Sequence, residues 1–379
     1  MRKNIKINIV SYGRRHLLDV ARELEKQGYD VSFYTAVPYW RMKKFGLKRK
    51  TSKSVFNIMS PFVIIEKVFS VLDEKWLNTI FDYIVSIIMR PCDIYISVVS
   101  PHWKRSFKKA KRQSKLVLMD SGSTHILNQK ETFGEYWMSD KSLKYQQSYF
   151  DKLNIEYELS IYNECDYIVV PSLIVKQTYL EHNYSESKLF YNPYGVDLSK
   201  FYPLELIEKE YDIIMTGNWC YRKGCDLIQQ LCKKRNYSFL HVGPISDMSF
   251  PVCENMRHID SVDQNKLVVY YSKAKVFVLP SREEGLALVQ PQAIACGLPI
   301  VCSKYTGGRD IAEVTGLNEW IFEMNEYSLE SFDDAVSNAL KFSISEKKTS
   351  KKKLDNISWE VNGKRYNTFL TSILLKDKL

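Results

Sequence analysis

No two cysteines of the chain stand in a C-x-x-C pair, and none has a histidine partner at zinc-finger spacing. Finger-type metal sites and thioredoxin-like redox motifs are therefore excluded. The cysteines, Cys92, Cys165, Cys220, Cys225, Cys232, Cys253, Cys296 and Cys302, read instead as small buried hydrophobes of a reduced compartment. Long apolar runs are also missing. The best candidate, Thr79 to Ser100, is broken by Asp82, Arg90 and Asp93, short of the roughly 18 uninterrupted apolar residues a membrane-spanning helix needs. The opening stretch MRKNIKINIV is basic, but its apolar part is short and no small-residue cleavage site follows. No secretory signal is expected.

What is present is the composition of a globular protein. Hydrophobic residues make up 45% and charged residues 26% of 379 positions, which excludes disorder as the main state and predicts two or three domains. The charge is lopsided. Residues 1–115 hold 24 Lys and Arg against 9 Asp and Glu, and the rest hold 30 against 35. Such a basic N-terminal part fits an anionic partner, and equally a solvated surface that keeps the chain soluble. No nucleic-acid recognition motif accompanies the charge, so nucleic acid is not expected as a partner.

Short apolar runs alternate with amphipathic stretches. Ile5–Val10, Val31–Tyr34, Ile94–Val99, Leu116–Met119 and Ile168–Val170 read as buried strands. Helical patterns run over His16–Gln27, Glu66–Met89 and Ser142–Cys165. Tyr194–Pro203 breaks the rhythm with Gly, Asp, Ser and Pro, as a linker does. The alternation restarts with Ile213–Thr216, a helix from Lys223, Phe239–Val242, Val276–Leu279 and Ile300–Cys302. Alternation of this kind predicts an α/β protein with parallel sheets. Two such series predict two Rossmann-like domains, 1–195 and 211–357, joined by a linker over 196–210, with a ligand cleft at the carboxyl ends of the strands.

The run from Val276 to Glu313 carries the chemistry. A strand ends at Pro280, a loop holds Ser281–Gly285, and a helix is expected from about Ala287 to Cys296, closed by Gly297. A strand–glycine–helix junction gathers free amides and the positive end of a helix dipole, which makes an anion site. Glu284 and Gln292 are eight positions apart, which at the helical rise per residue is roughly 12 Å. That spacing suits the two ends of a diphosphate compound. A second glycine turn, Thr306–Gly308, would add further amides.

This run resembles the signature of glycosyltransferase family 4, retaining enzymes of the two-domain GT-B fold. The resembling residues are Glu284-Gly285-Leu286-Ala287-Leu288, followed by Gln292-Ala293-Ile294-Ala295-Cys296-Gly297-Leu298-Pro299. The likeness extends over nearly the whole chain. YIVVPS at Tyr167–Ser172 with YGVD at Tyr194–Asp197 looks like the entry to the interdomain linker, and Thr216–Asp226 like the phosphate-binding loop. Leu267–Ser281 looks like the strand before the motif, and Ser358–Tyr366 like the closing helix. The resemblance implies two Rossmann-like domains facing across a cleft, and a C-terminal helix, 358–379, that returns to the N-terminal domain. It also implies a nucleotide-diphosphate sugar as donor, bound by Gly13, Arg222, Gly285, Leu286, Ala287, Gln292, Gly307 and Gly308. Catalytic roles fall on Glu284, Lys223, Asp120 and His125.

Two positions depart from the family pattern. Gln292 stands where a Glu usually accepts hydrogen bonds from the ribose; its amide oxygen still accepts, with neutral rather than charge-assisted bonds. Asn218 stands where many relatives carry Arg, and Arg222 beside Lys223 is the substitute cation. No Asp-x-Asp pair exists; Asp73-Glu74 and Glu283-Glu284 lack its spacing. Lys223, Arg222 and the amides around Gly285 are thus expected to neutralise the departing diphosphate with no metal and no cofactor. Glu284 would bind sugar hydroxyls, and Glu283 reads as a solvated loop carboxylate.

The N-terminal domain offers two loops. Gly13 follows the first strand and fits either a backbone approach to an anion or a plain tight turn. Asp120-Ser121-Gly122-Ser123-Thr124-His125 lies at a strand's carboxyl end, where Asp120 or His125 would orient the sugar or accept a proton; a structural role for His125 fits equally. Tyr39–Lys50 interleaves aromatics with Lys and Arg, and Lys104–Lys115 is a second basic run. Both suit an anionic membrane surface. The resemblance extends this to a lipid-linked glycan acceptor of polyprenyl-diphosphate type, as in bacterial O-antigen, lipopolysaccharide, capsule or exopolysaccharide assembly. The expected location is cytoplasmic, peripheral on the inner face of the cytoplasmic membrane. Two other readings stay open: a sugar-nucleotide 2-epimerase of the same fold, and a non-catalytic scaffold.

Overall fold

The computed structural model describes residues 5–69, 74–134, 150–204, 207–344 and 349–376. Two parallel sheets organise them. The first has seven strands in the order β3-β2-β1-β4-β5-β6-β7: β1 (Lys6–Val10), β2 (Asp30–Thr35), β3 (Ser52–Ser54), β4 (Ile94–Val98), β5 (Leu116–Asp120), β6 (Tyr167–Val170) and β7 (Leu189–Tyr191). The second has six, in the order β10-β9-β8-β11-β12-β13: β8 (Tyr211–Thr216), β9 (Phe239–Val242), β10 (Met256–Ile259), β11 (Ala274–Leu279), β12 (Ile300–Cys302) and β13 (Ile321–Glu323).

Helices cover both faces of each sheet, so the central strands are apolar on both sides rather than alternating. Every residue of β4 and β5 is buried. In the first sheet the strand order reverses between β1 and β4, where Ile7 pairs with Ile94 and Ile9 with Ile96. In the second it reverses between β8 and β11, where Ile213 pairs with Val276. Crevices for ligands open at the carboxyl ends of strands at such reversals. Of the short edge strands, β3 is Ser-Lys-Ser and has no apolar run.

Two helical readings change. The single helix expected over Glu66–Met89 is described as two, Phe56–Phe69 and Glu74–Ile88, with residues 70–73 outside the described ones. Pro61 lies inside the first and has no amide to offer the Asn57 carbonyl; the Ser60 hydroxyl donates to that carbonyl instead, at 3.3 Å. The helix expected from Ser142 is described from Lys152 to Glu164, where Asp151 caps it by accepting from the Asn154 amide at 2.8 Å. Positions 142–149 lie outside the described residues.

The last helix, Trp359–Lys376, returns to the first sheet's side. It packs along the helix Leu17–Lys26, with Gly363 so close that a Cβ would sit 2.5 Å from the Glu23 Cβ. Phe369 stacks on Phe190 at 3.9 Å, and Tyr29 donates to Asn367 at 3.1 Å. Seven of the eight cysteines are buried and all are free. Among the described residues no helix is long and apolar enough to cross a membrane.

Candidate active site

The loop after β8 and the loop after β11 meet in a tight ionic cluster. A 3-10 turn, Tyr221–Lys223, ends at Gly224 with φ +70°. A Cβ there would also lie 2.0 Å from the Pro280 carbonyl oxygen, so both conformation and space demand glycine. Arg282 binds the two loops together: its guanidinium grips Asp226 through two bonds of 2.7 and 2.9 Å and lies 3.7 Å over the Tyr221 ring. This lacing sets Arg222 and Lys223 against Glu283 and Glu284.

Glu284 is the centre of the cluster. Its Oε1 takes a short bond from the Lys223 ammonium, a 3.1 Å bond from the Ser281 hydroxyl, and stands 3.4 Å from the Arg222 guanidinium. Burial pushes the Glu284 carboxyl up, but Arg222 and Lys223 outweigh it and hold the carboxyl below its ordinary value. Burial likewise works against the Arg222 charge, and Glu284 and Glu283 overcome it and raise its pKa. Glu284 and Arg222 thus hold each other in their charged forms, and a lysine ammonium with three donors has hydrogens left for an anionic ligand.

Glu283 is not a solvated loop carboxylate: it is 3% exposed. Its Oε1 accepts from the Thr124 amide at 3.1 Å and the Thr124 hydroxyl at 3.0 Å, and its Oε2 stands 3.3 Å from Arg222. Thr124 follows β5, so this side chain ties the two sheets' sides together. Nothing in the local sequence announces it, because its partner is 159 positions away.

The glycine motif is a packing device as well. A Cβ on Gly285 would lie 2.0 Å from the Gly122 carbonyl oxygen, so the two backbones touch with no side chain between them. Ser172, which also caps the helix Leu173–Glu181, donates to the Gly285 carbonyl. Leu286 buries into the core of the first domain, while Ala287 belongs to the core of the second. Gly307 makes room for Leu286, and Gly308 for Cys302, at Cβ approaches of 2.6 and 2.5 Å. Behind Gly308, Asp310 accepts from the Leu173 amide at 2.7 Å and the Tyr191 hydroxyl at 2.8 Å.

Gln292 sits in the helix Val289–Ala295, which begins later than the spacing suggested. Glu284 precedes it in the loop, so a separation computed for continuous helix does not apply. The Gln292 carbonyl oxygen accepts from the Tyr271 hydroxyl at 3.2 Å, and Tyr271 in turn meets Thr216 at 2.8 Å. This places Gln292 beside the end of β8.

Asp120 ends β5 and is 1% exposed. It bonds His16 at 2.8 Å and accepts from Tyr194 at 2.9 Å and, from the C-terminal helix, Tyr366 at 3.5 Å. The His16 ring stacks on Tyr194 at 4.1 Å. His16 escaped the sequence reading because it stood there only as the first residue of a helix. His125 is placed elsewhere. Its ring is fully buried among Tyr162, Tyr179, Tyr184 and His182, stacked on the last at 4.1 Å. Burial, then His182, pushes its pKa down to about 3. It is not brought together with the Glu284 cluster.

Gly13 borders a cavity of about 180 Å³ with Arg14, Arg41 and Phe45, and a Cβ there would meet nothing within 4 Å. Arg14 lies 3.5 Å over the Phe45 ring and donates to Gln264 of the second domain at 2.7 Å. In the basic stretch 39–50, Trp40 is exposed, Phe45 packs against the core, and Met42 and Leu47 are buried. Its cations, Arg41, Lys43, Lys44, Lys48, Arg49 and Lys50, are exposed.

Comparison with known proteins places this geometry. Residues 200–354 match the family described as Glycosyl transferases group 1. An uncharacterised glycosyltransferase of Methanocaldococcus jannaschii is 25% identical over 168 residues, 42% of this chain and 46% of that protein. The O-antigen chain mannosyltransferase B of Escherichia coli is 36% identical over 62 residues, 16% of each chain. The matches thus span less than half the length of these curated relatives. Over the whole chain, the structure resembles the sucrose-phosphate synthase of Thermosynechococcus elongatus, with a TM-score of 0.66 and 14% identity over 98% of this chain and 100% of that one. The architecture is the GT-B fold of two facing parallel-sheet domains, and residues 200–354 within it match the group 1 glycosyl transferases.

Proposed function

We propose that the protein is a retaining, metal-independent glycosyltransferase that moves a sugar from a nucleotide-diphosphate donor to a lipid-linked glycan in cell-surface polysaccharide assembly. The observation that carries the reading is the set of buried Lys223 and Glu284 with half-buried Arg222, laced together beside the backbone contact of Gly122 and Gly285. As the sugar–phosphate bond breaks, negative charge gathers on the diphosphate. Lys223 and Arg222 are preorganised to receive it, which lowers the barrier without reorganisation during the reaction. Glu284 keeps both cations in place and turns its remaining lone pairs to the sugar hydroxyls. Gln292, held by Tyr271, takes the ribose. On the other side, Asp120 orients His16 toward the reacting region, acting through that ring rather than by direct contact.

The match to an O-antigen mannosyltransferase, short as it is, and the basic first 115 residues support a polyprenyl-diphosphate acceptor at an anionic membrane surface. The exposed cations of 39–50 would meet the lipid phosphates there, at the cytoplasmic face.

The test is thermal stabilisation by a panel of UDP-, GDP-, ADP- and dTDP-sugars, followed by transfer assays with and without chelator. A donor that stabilises the fold, transfers with retained anomeric configuration and ignores chelation is expected. Stabilisation by none of them, or turnover abolished by chelator, overturns the reading.

A further inference from the structure

Helices Phe56–Phe69 and Glu74–Ile88 are apolar on both sides. Inward, Met59, Leu77, Phe81 and Val85 are buried in the first domain's core. Outward, Ile58, Ile65 and Val68 follow one another at helical spacing with Ile64 beside them, and on the second helix Trp76, Tyr83 and Ile87 do the same. These outward residues are 41 to 65% exposed. A helix at the surface of a soluble domain normally turns charge to water. A contiguous apolar surface of this kind marks an interaction site.

The neighbouring helix Lys104–Gln113 supplies the charge. It is fastened to Glu74–Ile88 by Asp82, which accepts from the amides of Arg105 at 2.7 Å and Ser106 at 2.9 Å. Lys109 adds bonds to the carbonyls of Ser86 and Met89 at 2.8 and 2.7 Å. That packing leaves Lys104, Arg105, Lys108 and Arg112 exposed along the flank, with Arg105 5.1 Å over the Tyr83 ring. A second copy of the chain would bring two such basic flanks together and be repelled. Aliphatic side chains with Tyr and Trp among them, rimmed by cations, match a bilayer of anionic lipid.

We infer that the outward faces of Phe56–Phe69 and Glu74–Ile88 are an interfacial anchor that enters the headgroup–acyl boundary, while the 104–112 cations meet lipid phosphates. The inference rests on the membrane part of the proposed reading and adds an apolar term to it; it does not depend on catalysis. The electrostatic part weakens in salt, whereas the apolar part does not.

The experiment is sedimentation of the full chain with phosphatidylcholine vesicles and with phosphatidylglycerol-containing ones, at low and high salt. One variant combines Ile64→Ser, Ile65→Ser, Val68→Ser and Ile87→Ser, exposed positions whose change should leave thermal unfolding as in the parent. A second neutralises Lys43, Lys44, Lys48, Arg49 and Lys50. The expected result is anionic-vesicle binding by the parent that partly survives high salt, and a loss of at least about tenfold in the serine variant. Parent-like binding by a folded serine variant overturns the anchor, whatever the neutralised variant does. Unchanged binding by the neutralised variant, with loss in the serine variant, removes the 39–50 reading and leaves the anchor standing. No vesicle binding by the parent overturns both. A concentration-dependent dimer that the serine variant turns to monomer makes the face a self-interface and overturns the anchor.

Discussion

Thr124 gives both its amide and its hydroxyl hydrogen to one oxygen of Glu283, at 3.1 and 3.0 Å, from the opposite domain. The other oxygen of that carboxylate stands 3.3 Å from Arg222. One side chain therefore joins the first domain to the cation that is proposed to receive the diphosphate. The contact between the domains and the position of Arg222 thus depend on the same carboxylate.

Glu283→Ala should strand the two buried donors of Thr124 and remove one of the two carboxylates beside Arg222, which keeps Glu284 and the backbone carbonyl of position 283. The expected loss is about 1–3 kcal/mol in denaturant unfolding, with Glu283→Gln, which still accepts from Thr124, in between. An alanine variant as stable as the parent would show that the contact contributes nothing.

Lys223→Ala and Glu284→Ala should each slow transfer by at least about tenfold, the scale of one lost hydrogen bond to a charge. Rates like the parent's in both, under saturating donor, would remove the site assignment.

Gln292→Glu should keep or tighten donor binding measured by calorimetry, since a carboxylate oxygen can still accept from Tyr271 and forms stronger bonds to ribose hydroxyls. Weaker nucleotide binding would mean the residue does not face the ribose.

Asp310 predicts a pH effect. Burial pushes its carboxyl up to about 6, even though Leu173 and Tyr191 donate to it. A raised folded pKa means that the native state holds the proton more tightly than the unfolded chain, whose Asp titrates at about 3.9. The contribution to stability is full below that value and is lost as pH rises through about 6. Asp310→Asn keeps an acceptor for both donors and drops the charge. Its unfolding free energy should vary less over that interval and exceed the parent's at neutral pH. An unchanged pH profile would assign the ionisation elsewhere.

His125→Phe should leave the fold and transfer largely intact, because the ring is packed among tyrosines and is neutral at physiological pH. A folded variant without activity, measured against the parent at saturating donor, would return His125 to the reacting centre.

The central strands were readable because strands covered on both faces are apolar at nearly every position, as Ile94–Val98 and Leu116–Asp120 are apart from Ser97 and Asp120. Ser52–Ser54 has no such run, and its place at the sheet edge is set by pairing with Phe33–Thr35. Glu284 and Lys223 stood out through local pattern. His16, Glu283 and Thr124 did not, since each acquires its role from a partner that only folding brings near. The helical pattern read over Glu66–Met89 carried a different ambiguity: apolar spacing reveals a face but not whether protein or something else covers it.

The bare approach of position 285 to the Gly122 carbonyl has a final consequence. It fixes how near the two lobes can come, like the stop on a calliper. Even a methyl group there would wedge the jaws apart by more than a hydrogen bond can stretch, slackening Thr124, Ser172 and Asp310 together. Alanine at 285 should therefore loosen the whole molecule's grip on itself while leaving every charged group in the chain untouched.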